Sequence, residues 1–374
     1  MTKEAIPTLK LMVALVTLMI LPMGPGRGEA GQVGSTFKVL APISRGNLTI
    51  FPVVADRTHD TRNFLTLDEG VRSGEVVVSE AGSVRPLIRG PVRYFPSDAA
   101  EVNRLVLVNN SDRPLILLAG EIVTGGKQDR VVGKDRIVPP RSDPIDLAVF
   151  CVEPGRWVAS KPEFGSFNSQ MAQPSVRRSA MADQDQQKVW SEVHSTAQSL
   201  AVQASPAAAG AIGGTSSYAG VMANDEVKRR VDAVALPIEQ SYLGLMRELR
   251  DRNAVGVVVA VDDRIIWADV FASTALLEKY WPKLIRSYAA EALTFHPAYV
   301  RLPKGEGSWA RGERPDVKDA QAFLDDFGAR HETEESEPGV FRRTELTGSD
   351  FTAFALASLL PGTGFDVHIA KMAD

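Results

Sequence analysis

The chain has 374 residues, 44% of them hydrophobic and 24% charged. That is enough for two domains, or for one large domain with a well-filled core, and it excludes wholesale disorder. Its 42 basic and 46 acidic residues leave a net charge of −4, so the sequence gives no electrostatic ground for nucleic acid or anionic lipid as the main partner.

The N-terminus reads as an address. Lys3 and Lys10 precede an apolar core from Leu11 to Leu21, and Pro22, Gly24, Pro25 and Gly26 break it. Gly28-Glu29-Ala30 supplies small residues at the positions a signal peptidase needs, so residues 1–30 read as a cleaved export signal with a mature start near Gly31. Eleven residues fall short of the roughly 20 that span a bilayer, so no membrane span is expected after cleavage. The expected location is periplasmic or extracellular. A single cysteine, Cys151, cannot form an internal disulfide, so the core alone must hold the fold. Lying in an apolar run, Cys151 reads as a small buried hydrophobe, with a nucleophile or redox thiol as the alternative.

In chain order, Asn47–Ala55 reads as a strand in which Pro52 suggests an edge or a bend. Thr66-Leu67-Asp68-Glu69 is a capping box opening a short helix that exits at Gly74, and Glu75–Ser79 resumes strand character. Val102–Val108 and Pro114–Leu118 read as a hairpin around Asn109–Arg113, because Asn and Asp tolerate turn dihedrals. After Trp157 the composition turns rich in Ser, Gln and Ala. Val189, Val193, Ala197 and Leu200 predict one helix there, and Ser205–Ala219 reads as a flexible linker. Asp225–Arg252 reads as a helix bent at Pro237. Val255–Val261 and Arg264–Phe271 form a hairpin over Asp262-Asp263. Ser273 caps the next helix, whose stripe runs Leu276, Tyr280, Leu284, Tyr288 and Ala292, with Pro282 suiting a restart. A helix over Asp316–Phe327 and strands over Phe341–Glu345, Thr352–Ala357 and Phe365–Ile369 close the chain.

The expected fold class is therefore α+β. A β-rich, mostly antiparallel half over 36–158 packs with a mixed half over 225–374, and an insert over 159–224 lies between them.

Chemistry concentrates between Leu117 and Trp157. A Gly-rich turn, Gly125-Gly126-Lys127-Gln128-Asp129-Arg130, and a second corner, Glu153-Pro154-Gly155-Arg156-Trp157, both flank strand-like runs. The turn is no phosphate loop: five residues separate Gly120 from Gly126-Lys127, where that motif has four. Gln128 replaces the metal-binding hydroxyl residue, and a strand follows in place of a helix. From Gly120 to Arg156 six basic residues balance six acidic ones. That suits internal ion pairs, or a small pocket that orients a carboxylate or single phosphate, and not a polyphosphate groove. The five histidines are scattered, so neither a metal site nor a cofactor is expected.

The leading reading is a ligand- or partner-binding module, taking a small anionic ligand or a protein partner. Its candidate residues are Glu121, Lys127, Gln128, Arg130, Glu153, Arg156 and Trp157. The alternatives are a hydrolase or transferase using Glu121 or Glu153 with Lys127, Arg130 or Arg156, and a structural envelope protein.

The run LLAGEIVTGGKQDRVVGKDRIVPP, followed by FCVEPGRW, resembles the signature of the ARG and rhodanese-phosphatase-superfamily-associated protein family. The likeness continues through Leu67-Asp68-Glu69, Asn109-Asn110-Ser111, Val255-Gly256-Val257-Val258 and Tyr280-Trp281-Pro282-Lys283-Leu284. The resemblance implies a shared fold and one functional unit running through both halves. It implies no reaction. An export signal and the Ser/Gln/Ala insert are this chain's departures from the family.

Overall fold

The computed structural model describes residues 37–80, 104–155, 163–249, 253–295 and 313–374. The expected export signal, Arg156 and Trp157 lie outside the described residues. The chain opens with β1 (Phe37–Val39), β2 (Ile43–Arg45) and β3 (Leu48–Ala55), and β4 (Leu65–Thr66) leads into α1 (Leu67–Ser73). Next come β5 (Val76–Glu80), β6 (Arg104–Asn109), β7 (Leu115–Leu117) and β8 (Glu121–Gly125). They are followed by β9 (Arg130–Val132), β10 (Arg136–Val138), β11 (Ile145–Cys151) and β12 (Glu163–Met171). Helices α2 (Pro174–Met181), α3 (Gln186–Val202), α4 (Pro206–Gly213), α5 (Tyr218–Ala223) and α6 (Asp225–Glu248) fill the middle. The hairpin β13 (Asn253–Val261) and β14 (Arg264–Phe271) precedes α7 (Thr274–Thr294) and α8 (Val317–Asp325). Four strands end the chain: β15 (His331–Glu337), β16 (Phe341–Thr347), β17 (Phe351–Ser358) and β18 (Asp366–Ala373).

These elements make an α+β fold with two main β structures. The first is a nine-stranded sheet in the order β1-β3-β13-β14-β18-β17-β16-β15, with β2 also on β3. The second is a closed barrel, β11-β6-β5-β12-β8-β9, flanked by a small sheet of β10, β7 and β4. No helix among the described residues is long and apolar enough to cross a membrane.

Strands β3 and β13 pair along their length and are buried on both faces, which is why they read as unbroken apolar runs. On one face Ile50, Val257 and Val259 meet the stripe of α7 and the residues Ile238 and Tyr242 of α6. On the other, Phe51, Val53 and Val258 meet Ala320 and Leu324 of α8. Each fully buried aliphatic chain, such as Leu276 or Leu284, contributes about 1.5–3 kcal/mol relative to exposure. The barrel interior is a separate cluster of Val78, Leu105, Leu107, Val123 and Val149, capped by Leu67 of α1.

Local signals set the element ends. Thr66 Oγ1 accepts from Glu69 N (3.3 Å), while Glu69 Oε2 accepts from Thr66 N (2.9 Å); Gly74 ends the helix at φ 73°. The Asp262-Asp263 turn closes β13 onto β14, with Asp262 at φ 54°. Ser273 Oγ accepts from Leu276 N at 3.1 Å to cap α7.

Several expectations differ from the structure. Pro52 sits on an inner strand, not at an edge. Strand β2 pairs with residues 48–50 of β3 and β1 with 53–55, so Pro52 falls in the gap where its missing N–H costs no ladder bond. The turn at Asn109 forms as an Asx turn, its Oδ1 accepting from Ser111 N at 3.1 Å, but it makes no hairpin. It hands the chain from β6 in the barrel to β7 in the small sheet. Pro282 lies inside an uninterrupted α7 and does not restart a helix. Between residues 159 and 224, where one helix and a linker are expected, the structure has β12 and four helices, with α4 and α5 across Ser205–Ala219.

Candidate functional site

The Gly-rich turn is the loop of the β8–β9 hairpin, in which Val123 faces Arg130. Its second glycine, Gly126, has φ 49°, and a Cβ there would collide with the Phe164 ring and the Glu80 carboxylate. Strand β9 then lies against the end of β11, with Arg130 opposite Cys151. That pairing brings Glu153, two residues past the strand, beside the loop.

The two motifs are bonded to each other. Gln128 Nε2 donates to the Glu153 carbonyl at 3.0 Å, and Asp129 N donates to Glu153 Oε2 at 3.0 Å. Asp129 is the hub: its Oδ1 accepts from Gly125 N (3.2 Å), its Oδ2 from Ser217 Oγ (2.8 Å) and its carbonyl from Val152 N (3.0 Å). Ser217 in turn caps α5 by accepting from Gly220 N at 2.9 Å. Lys127 N donates to Glu80 Oε1 at 2.8 Å, tying the loop tip to β5. Gln186, at the start of α3, brackets Cys151 as a neighbouring strand would, accepting from its N (2.8 Å) and donating to its carbonyl (2.9 Å).

Gln128, Asp129 and Arg130 are at most 6% exposed, so they form a rigid frame, while the side chains of Lys127 and Glu153 are partly exposed beside it. Cys151 is buried, and burial pushes its thiol above the ordinary cysteine range, which suits a packed side chain and not a thiolate nucleophile.

Glu121 does not join this corner. It stands at the opposite end of β8, where Oε2 accepts from Leu118 N at 2.8 Å and Oε1 takes the Lys283 ammonium. Lys283 also meets Asp68 at 2.8 Å and lies 4.5 Å from the centre of the Tyr280 ring. Burial alone would lower the Lys283 pKa, but the Glu121 and Asp68 carboxylates outweigh it and raise it. The structure therefore separates Glu121 from Glu153, and the pair cannot act as one acid/base couple.

A second buried polar group has no counterpart in the sequence reading. His368 of β18 is fully buried and sits between two carboxylates: Nδ1 lies 2.6 Å from Asp135 Oδ2, and Nε2 lies 3.0 Å from Asp269 Oδ1. Asp269 is also held by a fork from Arg177 (2.9 and 3.1 Å) and by the Tyr288 hydroxyl. The Arg177 guanidinium stacks 4.4 Å from the Trp267 ring centre. Burial opposes the charge on both partners, yet Arg177 and His368 hold the Asp269 carboxyl far below its usual range, and Asp135 leads in raising His368 to about 9. The signal available in the sequence is a lone charge inside an apolar strand, Asp269 in IIWADVF and His368 in DVHIA.

Fold and site together define an α+β protein in which a β-barrel corner and a buried ion network knit distant segments into one unit. The chain belongs to the ARG and Rhodanese-Phosphatase-superfamily-associated Protein domain family, whose model matches residues 36–371. A search of the curated proteins and a search of the solved structures each return no match.

Proposed function

We propose that the chain is an exported ligand- or partner-binding module whose recognition surface is the corner where the Gly125–Arg130 loop meets Glu153. One observation carries the reading. Two motifs some 25 residues apart converge through the Gln128 and Asp129 bonds to Glu153. That leaves Lys127 and Glu153, of opposite charge and both partly exposed, carried on the same buried, hydrogen-bonded frame. A small carboxylate or phosphate reaching Lys127 is the ligand this arrangement suits. Export rests on the Leu11–Leu21 apolar core, and intact mass of secreted protein should then begin near Gly31.

The test is a thermal-shift titration of wild type and Lys127→Ala with succinate, citrate and inorganic phosphate. The Lys127 bond to Glu80 is made by the backbone, so the variant keeps the loop. A ligand that raises the wild-type melt and leaves the variant unmoved supports the reading. Equal shifts in both proteins, or none in either, overturn it.

A further inference from the structure

A second feature lies away from that corner. Where the β15–β16 hairpin passes the barrel, a cleft of about 420 Å3 opens, lined among others by Lys134, Arg136, Asp146, Glu335 and Phe341. Its floor is Asp135, pinned by Ala119 N at 2.6 Å and by His368. Side chains alternate along an extended segment, so fixing Asp135 inward turns Lys134 and Arg136 outward into the cleft, one strand repeat apart. Arg136 is steadied further: Nη1 donates to the Asp146 carbonyl at 3.2 Å, and its guanidinium lies 5.7 Å from the Phe341 ring centre.

Both cations are already answered across the cleft. Lys134 Nζ pairs with Glu335 at 2.8 Å, and Arg136 pairs with Glu337 at 2.9 Å. The glutamates come from β15, which among the described residues pairs with β16 alone and is exposed over six of its seven residues. Glu335 and Glu337 side chains are 50% and 39% exposed, so each pair is held in water and contributes little net free energy. Arg136 is held by the Asp146 carbonyl and the Phe341 ring, whereas the anions sit on an edge strand, Glu335 with one further contact at 3.5 Å to Arg343 of β16.

We propose that this cleft is an anion site in which Glu335 and Glu337 act as internal stand-ins for the ligand. The ligand class is a small organic anion, a carboxylate or phosphate carried on a flat apolar ring. Its charge takes Lys134 and Arg136 from the glutamates, and its ring rests on Phe341. Arg136 supplies the forked donor geometry that such a group matches.

Phenyl phosphate, benzoate and inorganic phosphate are titrated by calorimetry into wild type, Glu335→Gln/Glu337→Gln and Arg136→Ala. Removing the stand-ins should tighten phenyl phosphate or benzoate by about tenfold, as expected when the two weak pairs that compete for Lys134 and Arg136 are lost; the third pair lost, Glu335 with Arg343, involves neither cation. Whichever of the two binds identifies the charged group, and Arg136→Ala should lose it. Melting curves confirm that each variant is folded, and Lys134→Ala replaces Arg136→Ala if that variant is not. Equal affinity in wild type and the double Gln variant overturns the proposal, as does binding that survives loss of Arg136 or Lys134. Inorganic phosphate binding as well as the ring-bearing anions overturns the assignment of Phe341.

Discussion

The stability that His368 contributes should be lost as pH rises from 6.5 to 9. The imidazole is fully buried between Asp135 and Asp269, and its pKa moves from an ordinary 6.5 to about 9. A base whose folded pKa is raised contributes stability that is complete below the unfolded value, about 6.5, and lost as pH climbs through about 9. At about 1.36 kcal/mol per unit, the swing is roughly 3 kcal/mol. Lys371 works in the opposite sense. Burial lowers its pKa to about 8, so the folded state pays for charging it below that pH and gains as pH rises towards the unfolded value of 10.5. The two slopes overlap between pH 8 and 9, so the wild-type curve alone cannot show the His368 contribution. The informative quantity is the stability gap between wild type and His368→Asn, in which the Lys371 contribution cancels. Urea unfolding at pH 6, 7.5, 9 and 10, read where fluorescence and circular dichroism transitions coincide, should show that gap shrinking by about 3 kcal/mol. A gap that stays constant across the range would refute the charged Asp–His–Asp arrangement.

Lys283→Met should cost about 3–5 kcal/mol, because it strands Glu121 and Asp68 without their buried cation. Lys283→Met/Glu121→Gln should recover part of that loss in urea, and a double variant no more stable than the single one would contradict the account. Gly256→Ala should destabilise by about 1–3 kcal/mol, since its Cβ would strike the Asp269 carbonyl and Val270 backbone of β14; an unchanged melting temperature would count against it. Cys151 should react with a thiol reagent at pH 8 many times more slowly in the native protein than in urea, and equal rates would show the thiol to be accessible.

What was legible in the sequence was local. The Thr66–Glu69 box, the Asp262 turn, the Ser273 cap and the α7 stripe each depend on residues a few positions apart, and each formed as expected. The meeting of the Gly-rich loop with Glu153 was also readable, because a short connection between neighbouring runs favours antiparallel pairing. Strand partners were not. The Asn109 turn has hairpin chemistry, yet β5 and β11 claim β6, a choice made by the barrel as a whole. Strand β15, reading His331-Glu332-Thr333-Glu334-Glu335-Ser336-Glu337, has no apolar alternation because it lies exposed at a sheet edge. Proline misled at Pro282, where α7 stays one helix in place of the expected restart. The ion network escaped because its members come from four distant stretches: Arg177 and Asp269 are 92 positions apart, and Asp135 and His368 are 233 apart.

The pairing of β3 with β13 fixes an order of events during synthesis. Leu48 lies opposite Val261, so a strand of eight buried residues emerges roughly 200 residues before the partner that covers it. Until then the nascent chain carries an apolar ribbon that β1 and β2 can cover along one edge only, leaving the other edge bare, the kind of segment that invites self-association. The large sheet therefore cannot assemble from the N-terminus as it is made. A gene cut anywhere between the barrel and β13 would yield two fragments, each missing half of the same ladder. The barrel, whose strands all lie between Val76 and Met171, is the part able to form first, and it would serve as the platform on which the later sheet closes.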